Sequence, residues 1–232
     1  YFNLPENGTP GYEEHWWWAD FSNVRVIGLN SNWNYQLAVQ LNWLENVLNS
    51  SCNDPNIDFV FAQLHHPHKS ELWVPGETNF TGDVVELLEQ FTSDCGKPSI
   101  HFFGHTHGYS RGQSIDHTHA MVNVATAGGA IDYWGEYLQA DYPEYSVSQD
   151  EWGFVVLDVE AGSDPKFTLK RISRGDDYQP LDNVVRDEFT IRMHNNPPMT
   201  PDPVYPLGDE VPPDLIWLWA SEYSDPDNDE HG

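Results

Sequence analysis

Apolar positions in the first third of the chain follow two different spacings. Residues 24–30 and 57–64 are short runs of mostly apolar and β-branched side chains, which is typical of buried strands. Between them, over residues 35–49, leucines recur at helical spacing with Gln, Asn and Glu at the other positions. These leucines are Leu37, Leu41, Leu44 and Leu48. The pattern predicts a strand, an amphipathic helix and a second strand.

The same alternation continues to residue 103. Asp83 can cap a helix that ends near Gly96, and residues 99–103 predict a third strand that stops at Gly104. The apolar side chains of this helix are Val84, Leu87, Leu88 and Phe91. Helical crossovers between strands imply a parallel sheet with helices against its faces. The expected fold class is therefore α/β.

Helical spacing disappears beyond residue 120. Four further segments have the alternation of strands, and Gly128-Gly129 supplies a turn after the first of them. The segments are residues 121–127, 153–159, 167–173 and 188–193. Because no helical crossover separates these strands, we expect this region to be mixed or antiparallel.

The C-terminal region has a different composition. Residues 195–213 contain seven of the 17 prolines, and proline lacks an amide donor, so we predict a stiff linker there. An apolar run at residues 215–220 and an Asp- and Pro-rich turn resemble the start of a β-sandwich repeat. The predicted organisation is an α/β unit over residues 1–194, a linker over 195–213 and the truncated start of a β-sandwich-like domain over 214–232.

Charge restricts the possible partners. The 232 residues include 10 Lys and Arg but 37 Asp and Glu, which gives a formal net charge of −27. Nucleic-acid binding needs clustered cations to neutralise phosphates, so a nucleic acid is excluded as a structural partner. The charge also disfavours an anionic membrane surface, and no run of about 18 apolar residues is present, so no membrane insertion is expected. Aromatic residues make up 14% of the chain, which argues for a packed core.

Histidines are concentrated at the ends of two predicted strands. One cluster follows the strand that ends at residue 64, and the other follows the strand that ends at residue 103. The clusters are His65, His66 and His68, then His101, His105 and His107. Loops at the carboxyl ends of neighbouring parallel strands meet in one crevice, and imidazole is a common ligand of zinc and iron. A single histidine after a strand is more often a surface or core residue than a metal ligand, but two clusters at equivalent positions favour a metal site.

The remaining histidines carry less information. His101 alternates within its strand, so we expect a structural role for it. His117 and His119 repeat the His-x-His spacing, but no partner loop accompanies them, so we expect a loop there. The chain contains no HExxH, Walker or GxSxG motif, and therefore nothing supports a zincin, a nucleotide-binding protein or an α/β-hydrolase.

Several segments resemble one family. FAQLHHP at residues 61–67 and FGHTHGYSRG at residues 103–112 are similar to the calcineurin-like metallophosphoesterases, and most similar to their purple acid phosphatase branch. WADFSNV at residues 18–24 and TAGG at residues 126–129 agree with this resemblance. It extends over roughly residues 1–175, and HxP followed by GHxH at this separation is fairly specific.

The resemblance implies a fold, a reaction and a ligand set. The fold would be half of a four-layer α/β/β/α sandwich, with residues 1–194 as the C-terminal part of the catalytic domain. His65 and His105 would bind one metal ion and His107 a second, of the Fe, Zn or Mn type. A metal-bound hydroxide would hydrolyse a phosphate ester, while His66 or His68 would hydrogen-bond the phosphate or protonate the leaving oxygen. Tyr109 and Arg111, which follow GHxH, would serve packing.

The chain also departs from that family. The Asp-x-His and Gly-Asn-His-Asp/Glu motifs that normally precede these segments are absent. Three neutral imidazoles cannot hold two divalent ions a few Å apart without carboxylates that offset the repulsion. We therefore expect at most one weakly bound ion and little activity from this chain alone, with the N-terminal half of the domain lying before Tyr1.

Three functions remain open at this stage. The first is a secreted phosphoester hydrolase whose substrate is a phosphate ester. The second is a non-catalytic secreted binding module on a degenerate phosphoesterase scaffold, which would present aromatic residues such as Trp16, Trp17 and Trp18. The third is a mononuclear histidine-site protein, which nothing in the sequence favours. Carboxylate motifs upstream of Tyr1 would distinguish the enzyme from the binding module.

The two cysteines occupy equivalent places. Cys52 and Cys95 each lie just before a predicted strand that ends in a histidine cluster. If those strands are parallel neighbours, both cysteines lie at the edge of the sheet away from the histidines. A disulfide is then sterically possible, and a secreted, periplasmic or cell-surface location would favour it. Two separate buried thiols are the alternative.

Overall fold

The computed structural model describes residues 3–196, 198–205 and 217–226. The chain divides into two compact units, Tyr1–Met193 and His194–Gly232. The helices and strands of the first unit, in chain order, are β1 (Trp17–Phe21), β2 (Val24–Gly28), α1 (Ala38–Asn53), β3 (Phe59–Gln63), α2 (Asn79–Cys95), β4 (Ser99–Phe103), β5 (Tyr109–Gln113), β6 (His119–Val124), β7 (Tyr145–Gln149), β8 (Trp152–Glu160), β9 (Lys166–Gly175) and β10 (Pro180–Arg192).

A seven-stranded mixed sheet forms the centre of the first unit. Its strand order is β1-β2-β3-β4-β6-β5-β7. Strands β2, β3, β4 and β6 are parallel to one another, whereas β1, β5 and β7 are each joined by antiparallel pairing. The predicted parallel strands at residues 24–30, 57–64 and 99–103 are therefore confirmed, and so is the mixed character of the later region.

Two layers cover this sheet. Helices α1 and α2 pack on one face, where Leu44 and Leu88 meet Val60 of the sheet. The opposite face packs on an antiparallel sheet of order β10-β9-β8. There Phe167 of β9 lies edge-on, 5.2 Å from the ring of Phe59 and 5.0 Å from that of Phe61. The described residues of this unit thus form α, β and β layers.

Helix α2 differs from its predicted boundaries at one end. The prediction that Asp83 caps it is wrong, because the observed N-cap lies five residues earlier. Thr78 is the N-cap, and its hydroxyl oxygen accepts a hydrogen bond from the amide of Thr81 at 3.2 Å. At the other end Gly96 adopts φ +65°, the left-handed conformation that ends helices and that glycine adopts without strain. The predicted end at Gly96 is confirmed.

The second unit contains one short pair of strands among its described residues. Pro203–Tyr205 (β11) pairs antiparallel with Trp219–Ala220 (β12). The predicted linker over 195–213 and the β-sandwich start over 214–232 fall partly on residues 206–216 and 227–232, which lie outside the described residues. Both assignments stay predictions. Among the described residues of the whole chain, no helix has the length and apolarity needed to span a bilayer.

The two cysteines form a disulfide. Cys52 lies in the last turn of α1 and Cys95 is the last residue of α2, and their Cα atoms are 5.4 Å apart. The alternative of two separate thiols is therefore wrong. The bridge joins the two helices of the α layer across a sequence separation of 43 residues. It lies at the ends of the helices from which the chain enters β3 and β4.

A buried histidine pair lies inside the central sheet. His101 of β4 and His119 of β6 are both fully buried, with parallel rings 5.1 Å apart. The Nδ1 atom of His101 lies 2.9 Å from Nε2 of His119, whose Nδ1 lies 2.7 Å from the hydroxyl of Ser99. The structural role expected for His101 is thus confirmed. The expectation that His119 belongs to a loop is wrong, because it pairs with Ser99 at the start of β6.

This pair predicts loss of stability in acid. Burial lowers the pKa of His119 to about 3 and lowers that of His101 well below its usual range. In the unfolded chain both imidazoles titrate near pH 6.5. As the pH falls below about 6.5, the two imidazoles bind protons in the unfolded state but not in the folded state. Each histidine then removes up to about 1.4 kcal/mol of stability per pH unit.

Urea unfolding between pH 7.5 and pH 4.5 measures this loss. A His101→Leu/His119→Leu variant is expected to show a clearly shallower decline of unfolding free energy with falling pH. The substitution His117→Gln alters a partly exposed histidine outside the pair, so its decline should match that of the unmodified protein. If the double variant declines as steeply as the unmodified protein, the pair is not the source of acid sensitivity.

Candidate metal centre

Two loops bring the histidine clusters to one edge of the central sheet. The amide of Leu64 donates to the carbonyl of Phe102 at 3.1 Å, and the amide of Gly104 donates to that of His65 at 3.0 Å. The β3–β4 ladder thus continues one step beyond the strands. This places the first residue of each loop, His65 and His105, side by side. A Cβ atom at Gly104 would lie 3.3 Å from Cβ of Ala125, so this loop packs closely against the one that follows β6.

Three imidazoles meet at this edge. Nε2 of His65 lies 3.0 Å from Nδ1 of His105. The ring of His66 lies 4.9 Å from that of His65 and 4.6 Å from that of His105. One nitrogen from each of the three falls within 4.8 Å of the others. His105 has φ +70°, a strained conformation for a residue with a side chain, and such strain is concentrated at functional sites.

The donor set suits a transition-metal ion. Two ligands of a tetrahedral ion with metal–nitrogen bonds of about 2.0 Å lie about 3.3 Å apart, close to the observed separation of the His65 and His105 nitrogens. Partial burial lowers the pKa of His65 and of His105 from the usual 6.5. Both rings are therefore neutral at pH 7 and have a lone pair to offer.

His107 faces the same edge of the sheet but is not part of the three-residue group. Its Nδ1 lies 2.6 Å from the carbonyl oxygen of Ala130. Since a carbonyl can only accept, Nδ1 carries a proton, and in the neutral ring the lone pair is then on Nε2. In a metal-binding histidine, the ring nitrogen that does not bind the metal usually donates a hydrogen bond, often to a backbone carbonyl. The loop is fixed further by Asp132, whose carboxylate accepts from the amide of His107 at 2.8 Å.

The structure does not bring His68 into the group either. His68 packs against helix α2, where a Cβ atom at Gly82 would lie 3.0 Å from its Nδ1. Burial lowers its pKa, as it does for the clustered histidines.

Tyr109 and Arg111 lie between the two sheets. The hydroxyl of Tyr109 donates to Asp187 at 2.7 Å, and the guanidinium of Arg111 binds the same carboxylate through two nitrogens at 2.6 and 3.0 Å. Burial and the negative charge of Asp187 raise the pKa of Tyr109 far above its usual 10. Both residues link the central sheet to β10, which agrees with the packing role expected from the sequence.

Two side chains missed by the sequence analysis border the group. The ring of Trp73 lies 4.8 Å from that of His105. Ser31, which follows β2, is only 1% exposed, and its hydroxyl contacts His66. Neither residue belongs to a recognisable motif. Proximity in the sequence to a predicted strand end is the signal that could have pointed to Ser31.

An open cavity lies beside His65. Its volume is about 450 Å³, and its lining includes the polar side chains of Glu14, His15, Asn30 and Gln63. Asn30 and Gln63 mark the carboxyl ends of β2 and β3, the edge at which the histidines meet. The cavity therefore adjoins the imidazole group on the side of the sheet away from His105's strand.

Comparisons with known proteins agree with this architecture. A purple acid phosphatase, PPD1, from yellow lupin (Lupinus luteus) seeds is 16% identical over 82% of the chain, with a TM-score of 0.57. A structure of PhoD is 11% identical over 83% of the chain, with a TM-score of 0.56. No protein-family profile and no curated protein matches the sequence.

These likenesses show the fold. The chain has a mixed α/β architecture similar to that of these two structures, and a histidine group that could hold a metal ion lies at the carboxyl ends of its parallel strands. It spans 34% of the length of the lupin phosphatase and 44% of that of PhoD.

Proposed function

We propose that this protein takes part in metal-dependent hydrolysis of phosphate esters. The observation that carries the proposal is the approach of His65 and His105, whose nitrogens lie 3.0 Å apart at the ends of neighbouring parallel strands. The fold shared with a purple acid phosphatase and with PhoD supports the same class of reaction. The substrate would be a phosphate ester.

The roles of the histidines follow from their surroundings. His65 and His105 would bind one ion and His107, through its free Nε2, a second. An ion bound there would supply a Lewis acid for the phosphoryl group and an activated water. His66 lies next to both proposed ligands and would hydrogen-bond the phosphate or protonate the leaving oxygen. His68 packs on α2, so its proposed catalytic part needs a movement that brings its ring to the phosphate.

A dinuclear site requires carboxylates, and the described residues place none in the three-histidine group. We propose that residues N-terminal to Tyr1, in the other half of the same catalytic domain, supply them and complete a four-layer α/β/β/α sandwich. The chain alone would bind at most one ion, and weakly. The disulfide between Cys52 and Cys95 supports a secreted, periplasmic or cell-surface location.

Turnover of p-nitrophenyl phosphate tests this function. For a form extended upstream of Tyr1, we expect hydrolysis that a chelator abolishes and that Zn²⁺, Mn²⁺ or iron restores. The 232-residue chain should hydrolyse the ester far more slowly, because it lacks the carboxylates that would offset the repulsion between two ions and so would bind at most one. Hydrolysis that persists in chelator, or its absence from the extended form, would contradict the proposal.

A further inference from the structure

The hydroxyl of Ser31 is surrounded by three nitrogen atoms. The backbone amides of His65 and His66 both donate to its oxygen, at 3.1 and 3.0 Å. Nδ1 of the His66 ring lies 2.9 Å from the same oxygen. With the side chain 1% exposed, water has almost no access to this hydroxyl.

This arrangement determines which nitrogen of His66 carries the proton. A serine oxygen accepts two hydrogen bonds and donates one. The two amides use both acceptor positions, so the hydroxyl hydrogen must point to the third nitrogen, Nδ1 of His66. That nitrogen is therefore the acceptor. In the neutral ring the proton then lies on Nε2.

Ser31 itself is held by the loop between β2 and α1. The side-chain amide of Gln36 donates to the carbonyl of Ser31 at 2.8 Å. Gln40, a fully buried residue of α1, accepts from the amide of Asn30 at 2.8 Å and donates to its carbonyl at 3.0 Å. These bonds hold the main chain of Ser31 and of the residue before it, and thereby position the Ser31 hydroxyl.

We propose that Ser31 is a positioning residue that locks His66 in the tautomer with its proton on Nε2. His66 then presents an N–H donor, and not a lone pair, to a phosphate oxygen bound at His65 and His105. This inference rests on the proposed function for the identity of the acceptor, while the tautomer depends on the chain alone. The proposed tautomer also means that His66 is not a ligand of the ion, although its ring lies within 5 Å of the rings of His65 and His105.

The tautomer can be measured directly. Long-range ¹H–¹⁵N NMR of the metal-free chain at pH 7.5 is expected to show His66 protonated on Nε2. In Ser31→Ala we expect a mixture of tautomers or the Nδ1-protonated form. Ser70→Ala is the matched control, because it removes another buried hydroxyl, bonded to Thr106 at 2.7 Å in the adjoining loop, and should leave His66 unchanged.

Phosphate binding tests the donor. With zinc bound to the chain, inorganic phosphate should bind about tenfold more weakly to Ser31→Ala than to the unmodified protein. His66→Gln, whose amide nitrogen occupies the place of Nε2, should retain most of the affinity. His66→Asn, whose amide nitrogen occupies the place of Nδ1, should lose as much as Ser31→Ala.

The outcomes separate this inference from the proposed function. An Nδ1-protonated His66 in the unmodified chain, or a tautomer that Ser31→Ala does not change, would overturn the inference even if zinc and phosphate bind normally. Equal phosphate affinity in His66→Gln and His66→Asn would overturn the donor role. A Ser31-dependent tautomer in a chain that binds no zinc would support the inference and contradict the proposed function.

Discussion

Replacement of both cysteines by serine is expected to lower the free energy of unfolding by about 4 kcal/mol. The bond between Cys52 and Cys95 closes a loop with a sequence separation of 43 residues, and the loss of that constraint increases the entropy of the unfolded chain. For a chain of this length, such a loss corresponds to a fall in melting temperature of about 8–16 °C. Calorimetry of the double variant measures it.

Reduction of the unmodified protein provides the matched comparison. The reduced protein and the Cys52→Ser/Cys95→Ser variant should melt at similar temperatures, because both lack only the cross-link. Since the bridge lies at the opposite edge of the sheet from the histidines, ion affinity at temperatures where the variant stays folded should be unchanged. A double variant that melts within 2 °C of the oxidised protein would contradict this account.

Substitution of His65 or His105 by alanine is expected to weaken ion binding at least about 100-fold. These two nitrogens form the closest pair in the histidine group, and loss of groups that merely orient a ligand already costs 10- to 100-fold. His107→Ala should have a smaller effect, because this ring lies outside the three-residue group. Competition between the chain and a chromophoric chelator for Zn²⁺ or Co²⁺ measures the affinities.

Two histidines outside the group serve as controls. His68→Ala removes a ring that packs against α2, and His117→Ala removes one that hydrogen-bonds Ser93. Both variants should bind Co²⁺ within about twofold of the unmodified chain. If His68→Ala weakens binding as much as His105→Ala, the pair formed by His65 and His105 is not the principal ion site.

Elements with a local signal could be predicted from the sequence. Strand β4 was predicted with its observed bounds, and α1 and α2 were predicted from leucine and valine spacing. Strands β5 and β7 were missed, because Tyr-Ser-Arg-Gly-Gln has no apolar alternation and Tyr-Ser-Val-Ser-Gln alternates over only four residues. Their conformation is set by pairing with β6 and with each other, which is information that a single segment does not contain.

The candidate site was also predictable only in part. The approach of His65 and His105 follows from two motifs at the ends of neighbouring parallel strands. The contact between Ser31 and His66 does not, because the two residues lie 35 positions apart and Ser31 belongs to an ordinary Asn-Ser-Asn loop. His119 was placed in a loop because the strand predicted at residues 121–127 begins two residues later than the observed β6, and its burial depends on the order of strands in the sheet.

The side chain of Gln40 holds the loop after β2 through two hydrogen bonds to the main chain of Asn30, and neither bond involves an ion. We therefore expect the backbone around Asn30 and Ser31 to have the same shape with and without a bound ion. Crystals grown without metal should accept ions by soaking without cracking, and the rate of uptake should depend on water exchange at the ion and not on folding of the loop.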